Sequence, residues 1–110
     1  MHAFDVGELL ARQAQPGKLY PEFLKIPSMS LGLYALEAGA EDPQQPHSED
    51  AVYYVVSGRG KIKVGSEVRE VASGSIIFVA ANVEHRFHSI VEDLSLLVFF
   101  APAEYSKQAR

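Results

Sequence analysis

Two histidines, His47 and His85, are the residues of this chain with the clearest capacity for chemistry. Imidazole is the commonest metal ligand in proteins, and its ordinary pKa lies nearest to neutral pH. Each histidine stands at the edge of a strand-like segment. A sheet that brings the two segments together would therefore place both imidazoles in one site.

The alternation of side chains along an extended strand decides which neighbours share a face with each histidine. If the first segment is extended, Gln45, His47 and Glu49 point to one side. In the later segment, His85 and Phe87 share a face. A barrel interior that receives both faces would hold the two histidines with Gln45 beside them. His88 has the opposite parity and is expected at the surface.

Short β segments separated by turn signals make up most of the chain. Asp5-Val6-Gly7-Glu8 has the form of a capping box that opens a short helix, which is expected to end near Gln13 before Pro16-Gly17. The period-two segments beyond it predict an all-β sandwich or barrel with turns at residues 57–60, 65–66 and 73–74. The predicted strands are Met29–Glu37, Ala51–Val56, Lys61–Val64, Val68–Val71, Ile76–Val79, Glu84–Val91 and Leu94–Ala101.

Composition indicates one ordinary soluble domain. The chain has 110 residues, of which 47% are hydrophobic and 22% are charged, enough to bury a single core. We expect one domain over residues 1–110, with an N-terminal helix and arm at 1–28, a barrel at 29–102 and a polar tail at 103–110. The absence of cysteine excludes disulfides, thiolate nucleophiles and cysteine-based metal sites.

Charge and hydropathy also limit the partners. The formal net charge is −4, and the basic residues are scattered along the sequence with nothing denser than Lys61 and Lys63, so no nucleic-acid partner is expected. The longest apolar runs, Ile76–Ala81 and Leu96–Ala101, are far shorter than a bilayer span. No secretory leader is visible at Met1. We therefore expect a cytoplasmic protein with no membrane partner.

Acidic residues, in contrast, are clustered. Glu37, Glu41, Asp42, Glu49 and Asp50 lie in one stretch without a basic residue among them. Two interpretations stay open. In the first, which we favour, the stretch is a solvated loop. In the second, one carboxylate, such as Glu49, turns inward toward a cation.

Two segments of the chain resemble the motifs of the cupin family. Residues 39–58 resemble the first motif, in which a glycine is followed by His-x-His, a glutamate and a second glycine. Residues 74–89 resemble the second motif, Gly-x5-Pro-x-Gly-x2-His-x3-Asn. The resemblance covers residues 32–102 and implies a small, RmlC-like jelly-roll barrel (a double-stranded β-helix), usually homodimeric, whose motif side chains often bind one divalent metal.

The departures from the motifs affect the implied metal site. Carried over by position, the two histidines of the first motif are Gln45 and His47, the glutamate is Ala51, and the histidine of the second motif is His85. Asn82 replaces a glycine expected in a left-handed turn, where asparagine is well tolerated. The expected ligands are therefore His47, His85 and Gln45, with Glu49 a less favoured fourth.

The resemblance therefore predicts a divalent metal ion at this site. Two nitrogens and an amide oxygen do not distinguish zinc, nickel, iron, manganese and copper. Tyr53, Val55 and Phe87 share faces with the ligands, and they form either the wall of a small-molecule pocket or ordinary core. Val52, Tyr54 and Val56 point the other way and need a cover, which is either the N-terminal segment or a second subunit. A homodimer is the expected assembly.

Three functions remain open at this level. The first is a metal-dependent enzyme acting on a small oxygen-rich substrate. The second is a non-catalytic binding or sensing module that has lost a full metal site, which the alanine at position 51 favours. The third, a purely structural protein, would leave the aligned histidines unexplained. The sequence does not decide whether the chain is an enzyme, because the fold hosts many activities.

Overall fold

Six strands and one short helix are present in the residues that the computed structural model describes, which are 1–13, 22–42 and 46–103. The helix α1 spans Val6–Gln13 and begins, as expected, at Asp5, whose carboxylate accepts a hydrogen bond of 3.1 Å from the Glu8 N–H. The strands are β1 Glu22–Ile26, β2 Met29–Leu36, β3 Asp50–Val64, β4 Glu67–Ala72, β5 Ile76–Val79 and β6 His85–Ala101.

All strand pairs are antiparallel, in the order β1-β2-β6-β3-β4, with β5 paired to the first residues of β3. The two long strands, β3 and β6, lie side by side over almost their whole length. They divide the sheet into two parts. The five-stranded part contains β1, β2, β5, the start of β3 and the end of β6, and the three-stranded part contains β4, the end of β3 and the start of β6.

The turn predicted at residues 57–60 is wrong, because β3 runs through it. The pairing of β3 with β6 shifts register three times between Val55 and Lys61, so the strand bends without ending. Gly58 makes this possible. Its φ is +98°, and a Cβ there would lie 2.1 Å from the carbonyl oxygen of Asp93. The strands predicted at Glu84–Val91 and Leu94–Ala101 likewise form one strand, β6, because β6 pairs with β3 on both sides of the bend.

The remaining turns follow the sequence. Gly65 and Ser66 form the hairpin between β3 and β4, and Ser73-Gly74 turns the chain between β4 and β5. One strand escaped prediction: β1, in the segment expected to be an N-terminal arm, pairs with β2. Its sequence, Glu-Phe-Leu-Lys-Ile, lacks the period-two alternation of the other strands. The middle of the predicted arm, residues 14–21, and most of the predicted tail, residues 104–110, lie outside the described residues.

The inner faces of the two parts pack into one core. The five-stranded part contributes Tyr53, Val55 and Val98, and the three-stranded part contributes Ile62 and Phe87, all 2% exposed or less. Burying such side chains is the main favourable term in the folding of a domain of this size. Both parts therefore depend on each other's inner face.

The outer face of the five-stranded part is apolar. Two rows of cross-strand neighbours run over it from β2 through β6 and β3 to β5. Exposure rises toward β5, from 1% at Leu33 to 37% at Tyr54 and 71% at Ile76. Helix α1 lies against β2 and buries its own Leu9. We call this surface the apolar outer face, and its residues are Leu31, Phe99, Val52, Phe78, Leu33, Leu97, Tyr54 and Ile76.

The outer face of the three-stranded part is charged and rich in basic residues, although Glu70 on β4 is the cross-strand neighbour of Lys61. Lys63 is the cross-strand neighbour of Arg86, and Lys61 is the neighbour of His88. Arg59, on the same face, forms a 2.6 Å ion pair with Glu92. We call Arg59, Lys61, Lys63, Arg86 and His88 the basic outer face. Residues that are scattered in sequence are thus gathered by register onto one surface.

Candidate functional site

His47 and His85 converge in the interior. Their ring centroids are 5.6 Å apart, and the residues are 8% and 4% exposed. His85 begins β6 in the three-stranded part, whereas His47 lies in the loop that leads into β3. The expectation that both face inward is therefore correct, although His47 belongs to a loop and not to an extended strand.

Two hydrogen bonds fasten the loop of His47 to the loop of His85. The Asn82 N–H donates to the His47 carbonyl oxygen at 2.6 Å, and the Ala81 N–H donates to Asp50 Oδ1 at 2.8 Å. Asn82 has a φ of 65°, as predicted for a residue that replaces a glycine in a left-handed turn. The backbone of one motif-like segment therefore positions the histidine of the other.

Both nitrogens of His85 lie within hydrogen-bond distance of protein atoms. Nδ1 lies 3.0 Å from the carbonyl oxygen of Val83, and Nε2 lies 2.9 Å from the hydroxyl of Tyr53. A carbonyl oxygen accepts only, so Nδ1 carries the proton. In the singly protonated ring, Nε2 is then the acceptor, and the Tyr53 hydroxyl donates to it. This assignment follows from the hydrogen-bond pattern.

His47 is held as a neutral imidazole at neutral pH. Burial lowers its pKa, and the neighbouring His85 lowers it further, while the carboxylates of Glu49 and Asp42 act in the opposite direction. Its ring lies against Phe100, with 4.6 Å between ring centroids. A neutral imidazole offers one donor and one acceptor, which suits hydrogen bonding to a ligand hydroxyl or carbonyl.

The three side chains expected beside the ligands are buried. Tyr53, Val55 and Phe87 are each 0% exposed, and the rings of Tyr53 and Phe87 meet edge to face with 5.4 Å between centroids. Their inward parity is confirmed. Of the three, Tyr53 also contacts the histidine pair through its hydroxyl, so its role is not limited to apolar packing.

Two carboxylates of the acidic stretch turn inward. Glu49 is 1% exposed and accepts a hydrogen bond from the Ser48 hydroxyl, so the solvated interpretation is wrong for this residue. Its parity with His47 was the signal for this orientation. Glu37, Glu41 and Asp50 are exposed, as expected for a loop.

Asp42 is the second inward carboxylate, and sequence reasoning assigned it no role. Its Oδ1 accepts a hydrogen bond of 2.5 Å from the Tyr34 hydroxyl, and its Oδ2 accepts one of 2.9 Å from the Phe87 N–H. Burial, followed by this carboxylate, raises the pKa of Tyr34. Asp42 therefore ties β2 to β6 beneath the loop. The link escaped prediction because it joins residues far apart in sequence.

The described residues do not by themselves make a metal centre. Within residues 1–13, 22–42 and 46–103, no three His, Cys, Asp or Glu side chains are grouped so that they could hold a metal ion. Ala51, 3% exposed, stands where the motif has a glutamate, and Tyr53 engages His85 Nε2. Gln45 lies outside the described residues. Metal binding by His47, His85 and Gln45 stays a prediction.

A cavity of about 390 Å³ lies next to this interior. It is lined by residues 39–42 and 86–91, so Asp42 and Phe87 form part of its wall while neither His47 nor His85 does.

In the described part of the chain, no helix is long and apolar enough to cross a bilayer.

Comparison with known proteins identifies relatives over nearly the whole chain. An uncharacterized protein of Streptomyces coelicolor, SCO3923, is 52% identical over 104 residues, covering 94% of this chain and 99% of the relative. The crystal structure of TT1209 from Thermus thermophilus is 28% identical, with a TM-score of 0.76, and the match covers 94% of this chain and 99% of that one.

The fold and the family are consistent with each other. An RmlC-like cupin with a double-stranded β-helix fold from Methanocaldococcus jannaschii matches with a TM-score of 0.73 and 16% identity, over 89% of this chain and 91% of that one. At this identity, the similarity to the Methanocaldococcus jannaschii protein concerns the fold alone. The family model described as "Cupin domain" matches residues 32–100. The motifs, the paired long strands and this match show that the chain belongs to the cupin family.

Proposed function

We propose that this cupin binds a small, neutral, oxygen-rich molecule in its barrel through hydrogen bonds and does not transform it. The observation that carries the proposal is the cluster of buried polar side chains at His47, Glu49 and His85, beside the hydroxyl of Tyr53. Burying such groups is costly, and a core built for stability alone would place apolar side chains there. Ligand pockets, in contrast, combine apolar walls with a few converging polar groups.

The charges around the cluster favour a neutral ligand. Glu49 and Asp42 are both turned inward, and an anionic ligand bound beside these carboxylates would be repelled by them. His47 is held neutral at neutral pH and adds no compensating positive charge. Sugars and polyols carry the hydroxyls that imidazole, carboxylate and phenol groups bind.

A binding measurement on chelator-treated protein tests the proposal. A panel of sugars and polyols, with hydroxy acids as anionic controls, is screened by saturation-transfer NMR, and hits are quantified by calorimetry. We expect His47→Gln to weaken binding of a hit by about tenfold or more, since a buried ligand hydrogen bond is lost. The matched control is His88→Gln on the basic outer face, which should leave affinity unchanged.

The metal-dependent enzyme is the main alternative, and the same preparation decides it. Turnover of any panel member that disappears with chelator and returns with a divalent ion would overturn the proposal. Equal weakening by His47→Gln and His88→Gln would contradict binding at the histidine pair, because His88 lines the neighbouring cavity.

We also infer that a second copy of the chain covers the apolar outer face. Exposure on this surface increases away from α1, with Phe78 at 62% and Ile76 at 71%, and apolar patches of this kind are typical of interfaces between chains. The charged side chains of the basic outer face are costly to desolvate, so self-association through the apolar rows is favoured. Light scattering should report a dimer that Ile76→Lys converts to monomer. Val68→Lys, at an exposed position of the three-stranded part, is the control that should leave the dimer intact.

A further inference from the structure

His85 is oriented in the way that metal-binding histidines usually are. In such sites a carbonyl or carboxylate fixes one ring N–H, and the other nitrogen presents its lone pair to the metal. Here the Val83 carbonyl oxygen accepts from Nδ1 at 3.0 Å, which leaves the lone pair on Nε2 facing the interior. The hydrogen bond to the backbone therefore gives this imidazole the orientation and tautomer of a metal ligand.

The lone pair of Nε2 meets a phenol hydroxyl. The Tyr53 oxygen lies 2.9 Å from Nε2, while a zinc ion bound to imidazole nitrogen lies about 2.0–2.1 Å away in the same general direction. One lone pair cannot accept the hydroxyl proton and bind a metal at the same time. Metal binding at Nε2 thus requires the Tyr53 hydroxyl to leave.

Tyr53 has little room to leave. The residue is 0% exposed, its ring packs edge to face on Phe87, and its neighbours in the strand pairing are Ile77 on β5 and Val98 on β6. Turning the ring away would require the packed core around it to open. The hydroxyl is therefore a fixed feature of the site.

We propose that Tyr53 is the specificity-determining residue of this barrel: its hydroxyl caps His85 Nε2, keeps divalent metal ions out and reserves the site for a ligand held by hydrogen bonds. The inference rests on the proposed function, since it explains why a cupin with two converging histidines would bind its ligand without a metal. The residue that decides which ligands the barrel accepts thus lies on β3, a strand whose sequence is mostly apolar around Tyr53.

The test is a gain of metal binding on removal of one oxygen atom. Wild type, Tyr53→Phe and Tyr34→Phe are purified without metal resin, treated with chelator and titrated with Ni²⁺ by calorimetry, with bound metal counted by elemental analysis after dialysis. We expect Tyr53→Phe to bind Ni²⁺ about tenfold more tightly than wild type, or better, the scale on which groups around a metal ligand act. Tyr34→Phe also removes a buried hydroxyl, one bonded to Asp42 instead of His85, and should match wild type.

Two further measurements fix the site of the gain. Tyr53→Phe/His85→Gln should lose the added affinity, because the freed Nε2 is gone. In wild type, ¹⁵N NMR of the histidine rings should show His85 protonated at Nδ1 and unshifted by Zn²⁺, a result that needs no variant to fold.

Three outcomes would overturn the inference. They are stoichiometric Ni²⁺ in wild type with the affinity of Tyr53→Phe, a gain that survives loss of His85, and a Zn²⁺-induced shift of His85 Nε2 in wild type. None of these outcomes bears on ligand binding by chelator-treated wild type. The role of Tyr53 and the proposed function can therefore be refuted separately.

Discussion

The two outer faces of this barrel differ although the same two strands build both. Where β3 and β6 belong to the five-stranded part, their outward side chains are Val52, Tyr54, Leu97 and Phe99; where they belong to the three-stranded part, the outward side chains are Arg59, Lys61, Lys63, Arg86 and His88. The change occurs at the register shifts between Val55 and Lys61. One long strand can therefore present an apolar surface and a charged surface in turn, while its inner side chains contribute to a single core throughout.

The sharpest way to break this contrast is to alter the bend that separates the faces. Gly58→Ala would put a Cβ 2.1 Å from the Asp93 carbonyl oxygen at a φ of +98°, so we expect a loss of about 3 kcal/mol or more in the free energy of unfolding, or failure to fold. Urea denaturation measures it.

Gly74→Ala is the matched control. Its φ is +95°, and nothing lies within 4 Å of the added Cβ, so only the backbone strain remains, about 1 kcal/mol. Equal losses in the two variants would show that crowding at the bend does not hold the two parts in register.

The Tyr53–His85 hydrogen bond joins the inner sides of the two parts. Tyr53 comes from the five-stranded part and His85 from the three-stranded part, and both are buried. A double-mutant cycle with Tyr53→Phe and His85→Gln should give a coupling of about 1 kcal/mol in unfolding free energy. Strict additivity would mean that the parts are joined by apolar packing alone.

Acid should weaken the shared interior through His47. Its pKa in the folded protein lies below the ordinary 6.5, so as pH falls through 6.5 the unfolded chain takes up the proton first and the free energy of unfolding decreases. Urea midpoints at several pH values between about 7.5 and 5.5 follow the loss, which spans the ordinary pKa. His47→Gln should show a shallower decline than wild type, and identical slopes would contradict the assignment.

The smallest expected effect concerns the basic outer face. Lys63 and Arg86 are direct cross-strand neighbours of like charge, which is unfavourable. Lys63→Glu should raise the unfolding free energy by about 0.5 kcal/mol at low salt, and added salt should erase the gain. Lys25→Glu makes the same change in net charge on β1 without facing Arg86. An equal effect there would indicate net charge instead of the pair.

Local alternation made the inner faces of the strands predictable. Tyr53, Val55 and Phe87 share parity with the histidines and are buried as expected. Continuity of the long strands was not predictable in the same way, because Gly58 and Gly60 have the composition of a turn. The shape of the bend depends on Asp93, which is distant in sequence.

Polar partnerships were the hardest feature to predict. Alternation indicated that Glu49 could face inward, but a carboxylate in an acidic stretch is usually solvated, and the usual rule gave the wrong answer. The Asp42–Phe87 and Tyr53–His85 hydrogen bonds join residues that come together only after the sheet forms. Such contacts leave no local pattern, although they determine the chemistry of the interior.

The sharing of β3 and β6 by both parts has a consequence for how a molecule reaches the histidines. Two sheets joined by short loops can swing apart, but two sheets made from the same continuous backbone have no such hinge. A molecule that binds between the sheets, as proposed, would enter through an end of the barrel, and at the histidine end the Asn82 N–H holds two loops together by donating to the His47 carbonyl oxygen at 2.6 Å. The Ala81 N–H donates to Asp50 Oδ1 across the same loops at 2.8 Å. The rate of entry would then follow the opening of both hydrogen bonds, and deuterium exchange of the Asn82 and Ala81 amides would measure that opening.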